Sequence, residues 1–310
     1  MRIAFFGTAG FAVPILESLI ASEHEVVGVV TGPDKPVGRR RVLTPTVVKQ
    51  RALDEGLPVL TPEKLKAQTF LADFAAWQPD AAVVVAYRIL PREVFDLPPL
   101  GTLNIHPSLL PKYRGPAPLN WAIIEGETET GVSVIRITER VDAGGVVLQR
   151  RFPLGPDETS EELGERASRI GGEMILEALD GLAAGTLQPL IQDESLVTRA
   201  PKLDRDSGLI DWKMTASEVH NLVRGVQPWP GAYTHLQGRA MKIAGTTLGP
   251  REVARQPGEV LDSTAKGIVV ACGKGAVRFT RLQLEGKKWM QVSDFLLGYN
   301  LKPGTILGDA

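Results

Sequence analysis

The sequence predicts an α/β protein with two domains, a parallel-sheet domain followed by a small OB-like β-barrel. At 310 residues the chain is long for a single domain. Residues 2–31 follow the order strand, glycine-rich turn, helix, strand, which is a βαβ unit and requires a right-handed crossover and a parallel sheet. Beyond residue 205, five short strand-like segments alternate with glycine-rich turns, a pattern typical of small barrels.

Hydrophobic periodicity and turn residues place the elements of the first domain. Strands are expected at Arg2–Phe6, Val26–Thr31, Val59–Leu60, Ala81–Tyr87, 103–106, Gly131–Ile137 and Val146–Phe152. Helices are expected at Phe11–Ile20, Pro45–Glu55, Pro62–Trp77, Pro91–Phe95, Pro118–Glu125 and Thr159–Leu182. Thr159 and Glu162 fit a capping box at the start of the last helix.

The second domain is predicted from a change of character along the chain. Residues 191–205 are polar with little periodicity, so the expected bounds are a domain at 1–190, a linker at 191–205 and a domain at 206–310. One helix is expected at Ala216–Val226, with Thr215 and Glu218 as its capping box. Strands are expected at Ala232–Leu236, Ala240–Ala244, Gly258–Leu261, Ile268–Cys272 and Ala276–Leu284.

Composition restricts the class of protein. The chain is 43% hydrophobic and 23% charged, as ordinary globular proteins are. No apolar run approaches the ~18 residues of a membrane span, and the first apolar stretch is too short for a signal peptide, so a cytoplasmic protein is expected. The single cysteine, Cys272, excludes an internal disulfide and a cysteine-cluster zinc site, and its strand-like surroundings are more typical of an inert core thiol than of a nucleophile.

Positive charge is concentrated in two places. Residues 206–310 carry 13 Lys and Arg against 9 Asp and Glu, although the whole chain has a net charge of −1. Residues 32–41 read as an irregular loop because of their prolines and glycines, and the loop ends in Arg39, Arg40 and Arg41. Both features fit binding to a polyanion, and both also fit ordinary solvated surface.

The stretch from Leu103 to Gly115 carries the first candidate site residues. Residues two apart in a strand share a face, so Asn104 and His106 point the same way, and Pro107 ends the strand. Ligands of open α/β sheets bind at this carboxyl-terminal edge. Asp142 follows the next sheet strand in the chain and is expected near the same edge, although Asp-Ala-Gly-Gly is also an ordinary turn sequence.

These three side chains indicate a definite kind of chemistry. The sequence shows no Ser or Cys nucleophile beside a base, no histidine pair at metal spacing and no P-loop. An amide, an imidazole and a carboxylate suit direct transfer of an acyl group to a substrate amine. Asn104 and His106 would donate hydrogen bonds to the developing oxyanion, and Asp142 would hold His106 or remove the proton released by the amine.

The same residues resemble a known family. Residues 104–111, Arg114-Gly115 and Asp142-Ala143-Gly144 occur in the order and at the separations typical of the 10-formyltetrahydrofolate-dependent formyltransferases. The resemblance implies a Rossmann-like formyltransferase domain with Asn104, His106 and Asp142 as the catalytic trio. It also implies that Ser108, Leu109, Leu110 and Pro111 form the loop for 10-formyltetrahydrofolate, the formyl-donor cosubstrate.

Within that family the chain is most similar to the members that formylate methionyl-tRNA, and the similarity spans nearly the whole length. Matching segments include 6–8, 33–39, 83–91 and 227–232. This resemblance implies a monomeric, metal-free enzyme of translation initiation that formylates the α-amino group of initiator methionyl-tRNA. Arg39, Arg40 and Arg41 would enter the acceptor end of the tRNA, and the C-terminal barrel would contact the tRNA body. The departures are Pro107, Gly145 and a segment at 87–89 that is one residue shorter than usual.

Three alternatives stand beside this hypothesis. The same chemistry could act on glycinamide ribonucleotide or a sugar-nucleotide amine, but the first of these needs no C-terminal barrel. A non-catalytic RNA-binding protein is disfavoured by the intact trio. A nicotinamide dehydrogenase is disfavoured because Gly7 and Gly10 do not complete the G-x-G-x-x-G fingerprint.

Overall fold

The structure is a computed structural model that describes residues 1–38 and 41–308. Contacts divide the chain into two compact units. The first unit contains Met1–Pro118, Thr130–Phe152 and Gly164–Ala200, and the second contains Leu119–Glu129, Pro153–Leu163 and the chain from Pro201 onward. Two segments that interrupt the first unit in sequence therefore belong to the second unit.

Each element has the following bounds. The strands are β1 Arg2–Gly7, β2 Glu25–Val30, β3 Lys35–Val37, β4 Val42–Thr44, β5 Val59–Leu60, β6 Ala81–Val85, β7 Thr102–His106, β8 Glu129–Arg136, β9 Val146–Pro153, β10 Ala232–Leu236, β11 Arg239–Leu248, β12 Val260–Thr264, β13 Gly267–Ala271, β14 Ala276–Leu284 and β15 Met290–Gln291. The helices are α1 Val13–Ile20, α2 Val47–Asp54, α3 Gln68–Ala76, α4 Arg92–Phe95, α5 Pro118–Ile124, α6 Ser160–Ala183, α7 Ala216–Gly225 and α8 Val292–Gly298.

The first unit is built on a seven-stranded sheet with the order β5-β2-β1-β6-β7-β8-β9. The pairs from β5 to β7 are parallel, which confirms the predicted Rossmann-like sheet. Strand β8 runs antiparallel to β7, with His106 opposite Ser133 and Leu103 opposite Arg136. The sheet is therefore mixed at the side that carries the candidate site.

Apolar strands bury the sheet on both faces, as parallel strands require. All five residues of β6 are buried. On one face, the rings of Phe6 and Phe74 meet edge to face with centroids 5.3 Å apart. On the other face, helix α6 lies so close to β7 that a Cβ on Gly171 would come within 3.1 Å of Ile105. This packing fixes the strand that carries Asn104 and His106.

The second unit is rich in antiparallel β-structure, as predicted. Its sheet has the order β10-β11-β14-β13-β12, with β15 paired to β14, and all of these pairs are antiparallel. Helix α7 begins with the predicted capping box, in which Thr215 and Glu218 bond reciprocally. Inside this unit, α5 meets α7 through a hydrogen bond of 2.7 Å from the Asn120 amide to the Gly225 carbonyl.

Several elements differ from the prediction. The expected irregular loop at 32–41 contains β3, which pairs with β4 in a short ribbon, and Pro36 is tolerated there because a two-stranded ribbon consists only of edge strands. Helix α3 begins at Gln68 rather than Pro62, since the chain at Ala67 is extended. Strand β15 and helix α8 were not predicted.

Among the described residues, no helix combines the length and apolar character needed to cross a membrane.

Candidate active site

Asn104 lies in the middle of β7, paired in register with Val84 of β6 and Ile135 of β8. Its side chain lines an open pocket on the first unit. Within residues 1–38 and 41–308, no protein group forms a hydrogen bond with the Asn104 amide. The amide N–H groups are therefore available to a bound molecule.

His106 ends β7 and is buried, with 4% of its surface exposed. Its Nε2 lies 2.9 Å from the carbonyl oxygen of Tyr113. A carbonyl only accepts hydrogen bonds, so Nε2 carries the hydrogen and the neutral ring leaves Nδ1 bare. Burial lowers the pKa of His106 below its ordinary value, outweighing the opposing effect of the Asp142 carboxylate, and the Arg114 charge lowers it further.

Asp142 lies beside His106, with Oδ1 3.6 Å from Nδ1. Its other carboxylate oxygen accepts a hydrogen bond of 2.9 Å from the backbone N–H of Gly115. The expected reason for this proximity was wrong: β8 is antiparallel to β7, so the carboxyl end of β8 lies opposite Leu103 rather than His106. The turn after β8 nevertheless brings Asp142 to His106.

Residues with left-handed backbone surround the site. Ala86, Tyr113 and Asp142 have φ angles of 46°, 60° and 54°. Non-glycine residues in this region cost on the order of 1 kcal/mol or more each, and they cluster where function needs a particular geometry. Asp142 is the best suited of the three, because a short polar side chain tolerates this backbone.

The pocket next to Asn104 encloses about 530 Å³ of space, which includes open solvent. One wall is the segment from Tyr87 to Leu90, and another is the turn from Thr138 to Gly144, which includes Asp142. The Tyr87 wall is supported from behind by an edge-to-face contact with Phe6 and by bonds from Arg88 to the carbonyls of Glu63 and Pro62. Burial raises the pKa of Tyr87. The segment at 87–89, singled out in the sequence for its length, is thus a wall of this pocket.

A polar network behind Asp142, in which Gln192 and Arg114 are buried, was missed by sequence reasoning. The amide of Gln192 donates to the carbonyls of Asp142 and Gly144 at 2.8 Å each. Arg114 donates to the Gln192 oxygen and to Glu194, which also accepts from Arg140. These two guanidinium groups lower the pKa of Glu194 to about 2. Arg114 belongs to the recognised motif, but Gln192 lies in the predicted linker and carries no sequence signal.

The residues predicted for the folate loop lie elsewhere. Ser108 is buried and donates to the carbonyl of Lys112 at 2.7 Å. Leu110 donates its N–H to Ser133, and its carbonyl accepts from Gln149. None of Ser108, Leu109, Leu110 and Pro111 is among the residues that line the described pocket. Their assignment to the donor stays a prediction.

The predicted arginine cluster is only partly described. Arg41 is exposed, in a turn with φ 49° that leads into β4. Arg39 and Arg40 lie outside the described residues. In the described part of the chain, no cluster of His, Cys, Asp and Glu could hold a metal ion. Burial raises the pKa of the Cys272 thiol to about 11.

Comparison with known proteins defines the class first. The family model described as "Formyl transferase" matches residues 1–179, and the model "Formyl transferase, C-terminal domain" matches residues 202–300. Fold, site and family models together describe a formyl transferase.

Individual relatives narrow this class. The methionyl-tRNA formyltransferase of Geobacter sulfurreducens is 44% identical over 311 residues, covering 100% of this chain and 98% of that protein. The chain therefore belongs to the methionyl-tRNA formyltransferase family, which is a family of enzymes.

Solved structures share the fold at lower identity. HypX from Aquifex aeolicus, in complex with tetrahydrofolic acid, superimposes with a TM-score of 0.66 at 24% identity over 96% of this chain, which spans only 47% of the HypX chain. WlaRD, a sugar 3N-formyl transferase, superimposes with a TM-score of 0.68 at 18% identity, covering 93% of this chain and 99% of that chain.

Proposed function

We propose that this chain transfers the formyl group of 10-formyltetrahydrofolate to the α-amino group of initiator methionyl-tRNA, in the cytoplasm, at the start of translation. The observation that carries the proposal is that Asn104 and Asp142 line one open pocket, with His106 buried 3.6 Å from the Asp142 carboxylate. Full-length similarity to methionyl-tRNA formyltransferases supports this choice of acceptor over a sugar-nucleotide amine.

The pocket beside Asn104 is the proposed site of the folate donor. It is concave, and it brings apolar walls and polar groups together, as small-molecule sites do. Its lining is mixed. Apolar surface comes from residues such as Val84, Leu90, Ile135 and Ile137, and polar groups come from Arg88, Asn104, Thr138, Arg140 and Asp142. A flat bicyclic ring can be held by such walls while the formyl group meets the polar end.

The proposed reaction needs no nucleophile from the protein. The amine nitrogen attacks the formyl carbon, forming a new C–N bond and an oxyanion. The amine proton is lost, the bond to N10 of the folate breaks, and N10 takes up a proton as tetrahydrofolate leaves. The Asn104 amide, which has no protein partner among the described residues, would donate to the oxyanion.

His106 and Asp142 would act on the proton as a pair. Because the Nε2–H of His106 is directed at the Tyr113 carbonyl, only Nδ1 can take part in the reaction. In the neutral ring this nitrogen faces the Asp142 carboxylate at 3.6 Å, so two proton acceptors lie side by side. The lone pair on Nδ1 and the carboxylate repel each other, and a proton shared between them removes that repulsion. The pair is therefore a suitable acceptor for the amine proton. The imidazolium that results would help Asn104 to stabilise the oxyanion.

Binding of the tRNA is proposed for the second unit and the arginine loop. Residues 206–310 have 13 basic residues against 9 acidic ones, and Arg39, Arg40 and Arg41 follow one another in the sequence. Contacts to phosphates by such residues release counterions and strengthen binding at low salt.

One assay tests the function. Formyl transfer from 10-formyltetrahydrofolate is measured with methionyl-tRNA, glycinamide ribonucleotide and a sugar-nucleotide amine as acceptors. Transfer to methionyl-tRNA alone is expected, and preference for either other acceptor would refute the proposal.

The same assay tests the site. Asn104→Ala, His106→Ala and Asp142→Ala are each expected to lower the rate ~10²-fold or more. The matched control is His24→Ala, because His24 also lies close to a carboxylate, with Nε2 3.4 Å from Asp180. Near-normal turnover in all three site variants would contradict the mechanism, whereas the control is expected to keep normal turnover.

A further inference from the structure

Gln192 lies between Arg114 and the turn that carries Asp142. It is 7% exposed. Its Nε2 donates to the carbonyls of Asp142 and Gly144, each at 2.8 Å, and its Oε1 accepts from Nε and Nη2 of Arg114 at 3.1 and 2.8 Å. A primary amide offers two hydrogens and two lone pairs, so every hydrogen-bonding position of this side chain is used.

The guanidinium group fixes which way this amide faces. Arg114 can only donate, so the oxygen of Gln192 must face it and the nitrogen must face the two carbonyls. Arg114 is buried and is itself held by Glu194 at 3.0 Å. Directional bonds therefore connect Glu194, through Arg114 and Gln192, to the backbone of Asp142.

The turn needs this support because its backbone is unfavourable. Asp142 has a φ of 54°, and its carboxylate must stay 3.6 Å from His106 while accepting from Gly115. One of the two carbonyls held by Gln192 belongs to Asp142 itself. Rotation of that peptide would move the carboxylate, and a misplacement of about 1 Å can cost ~10²-fold in rate.

We infer that Gln192 is a positioning residue for formyl transfer, which holds the left-handed turn so that the Asp142 carboxylate stays against His106. This inference rests on the proposed role of Asp142 in proton removal. Gln192 itself does not touch the reacting groups, so its effect must pass through the turn.

The sharpest variant is Gln192→Glu, which keeps the shape of the side chain and can still accept from Arg114. It places a carboxylate oxygen against two carbonyl oxygens, so the turn loses both of its donors. We expect kcat to fall roughly 10-fold or more, with the KM for methionyl-tRNA within threefold of wild type. Amide hydrogen exchange in peptides covering 138–145 is expected to accelerate. Gln192→Met, of similar length but without donors, is expected to act in the same direction without adding charge.

Gln227→Glu is the matched control. The Gln227 amide also donates to two backbone carbonyls, of Val223 at 3.1 Å and Ala244 at 2.8 Å, within the second unit. Its kcat is expected to stay within twofold of wild type. All variants are compared below their own thermal midpoints, so that the folded enzyme is measured.

The outcomes separate this inference from the proposed function. A kcat within twofold of wild type in a folded Gln192 variant, or an equal loss in Gln227→Glu, would overturn the positioning role. If Asp142→Asn keeps wild-type kcat in the same assay, the proposed function of Asp142 fails instead. Loss of activity in Asp142→Asn with normal Gln192 variants refutes only the inference drawn here.

Discussion

Replacing Asp142 by Asn or by Ala should separate its catalytic role from its structural one. In Asp142→Asn, the side-chain oxygen can still accept from Gly115, and the new NH₂ group can donate to the bare Nδ1 of His106, which the carboxylate now faces at 3.6 Å. Asn also tolerates the φ of 54°. The free energy of unfolding is therefore expected to stay within about 1 kcal/mol of wild type or to rise.

Asp142→Ala is expected to lose more stability, because it removes the contacts that Asp142→Asn keeps. The N–H of Gly115 loses a charged acceptor at 2.9 Å, a bond worth about 1.5–3 kcal/mol. An alanine in left-handed backbone adds roughly 1 kcal/mol. A loss of about 2–4 kcal/mol should lower the thermal midpoint by roughly 5 °C or more.

Both variants should lose activity, because an amide and a methyl group alike cannot accept the amine proton. A rate reduction of ~10²- to 10⁴-fold is expected in each. Thermal unfolding and single-turnover formation of formylmethionyl-tRNA measure the two properties on the same preparations. The reasoning is refuted if Asp142→Asn keeps more than a tenth of the wild-type rate, or if it is less stable than Asp142→Ala.

Three further predictions concern neighbouring groups. Asn104→Ala should lower kcat ~10²- to 10³-fold while leaving the thermal midpoint nearly unchanged, since no protein group in the described chain bonds to its amide; a large stability loss would show that the amide is structural. Folding lowers the pKa of His106, so the unfolded chain binds a proton at a higher pH than the folded chain does. The free energy of unfolding should therefore decrease as the pH falls below about 6.5, with a slope of at most ~1.4 kcal/mol per pH unit from this group. Urea unfolding of wild type and His106→Gln across this range measures that slope, and identical slopes would contradict it. Replacing Arg39, Arg40 and Arg41 by Gln should raise the KM for tRNA. It should also reduce the slope of the logarithm of the tRNA binding constant against the logarithm of salt concentration by up to about 3, and an unchanged slope would count against phosphate contacts.

Local signals in the sequence predicted local structure well. The capping boxes at Thr159 and Thr215 form as expected, because both partners lie within one turn of the helix. The strand that carries Asn104 and His106 ends where Pro107 removes a donor. The predicted strand extended to Tyr87, but β6 ends at Val85 because the backbone of Ala86 is left-handed. Alanine gives no sequence signal for such a conformation.

Pairing over long distances could not be predicted in the same way. Alternation along β8 identifies a strand but not its direction, so the antiparallel pairing with β7 was missed. The meeting of Asp142 with His106 was expected, but for a reason that the sheet contradicts. A polar, aperiodic segment such as 191–205 looks like a linker by composition, since burial of a single residue such as Gln192 leaves no periodic trace.

The segment 191–205 orients both His106 and Asp142, the proposed proton-accepting pair. Arg114 and Thr198 bond backbone to backbone at 3.0 Å, Ala200 returns a bond to Arg114 at 2.8 Å, and Tyr113 donates to the Thr198 hydroxyl. This ladder fixes the Tyr113 carbonyl, which determines the hydrogen position on His106. The ladder passes so close to Gly115 that a Cβ there would lie 2.4 Å from a backbone oxygen.

Gln192 precedes the same ladder and holds the turn of Asp142. Residues 192–200 therefore determine, through backbone carbonyls on both sides, which nitrogen of His106 is bare and where the carboxylate faces it. None of these residues lines the pocket described beside Asn104. It follows that changes in this segment should act first on proton transfer in the bound complex, and only through the turn at 138–144 on binding of the donor.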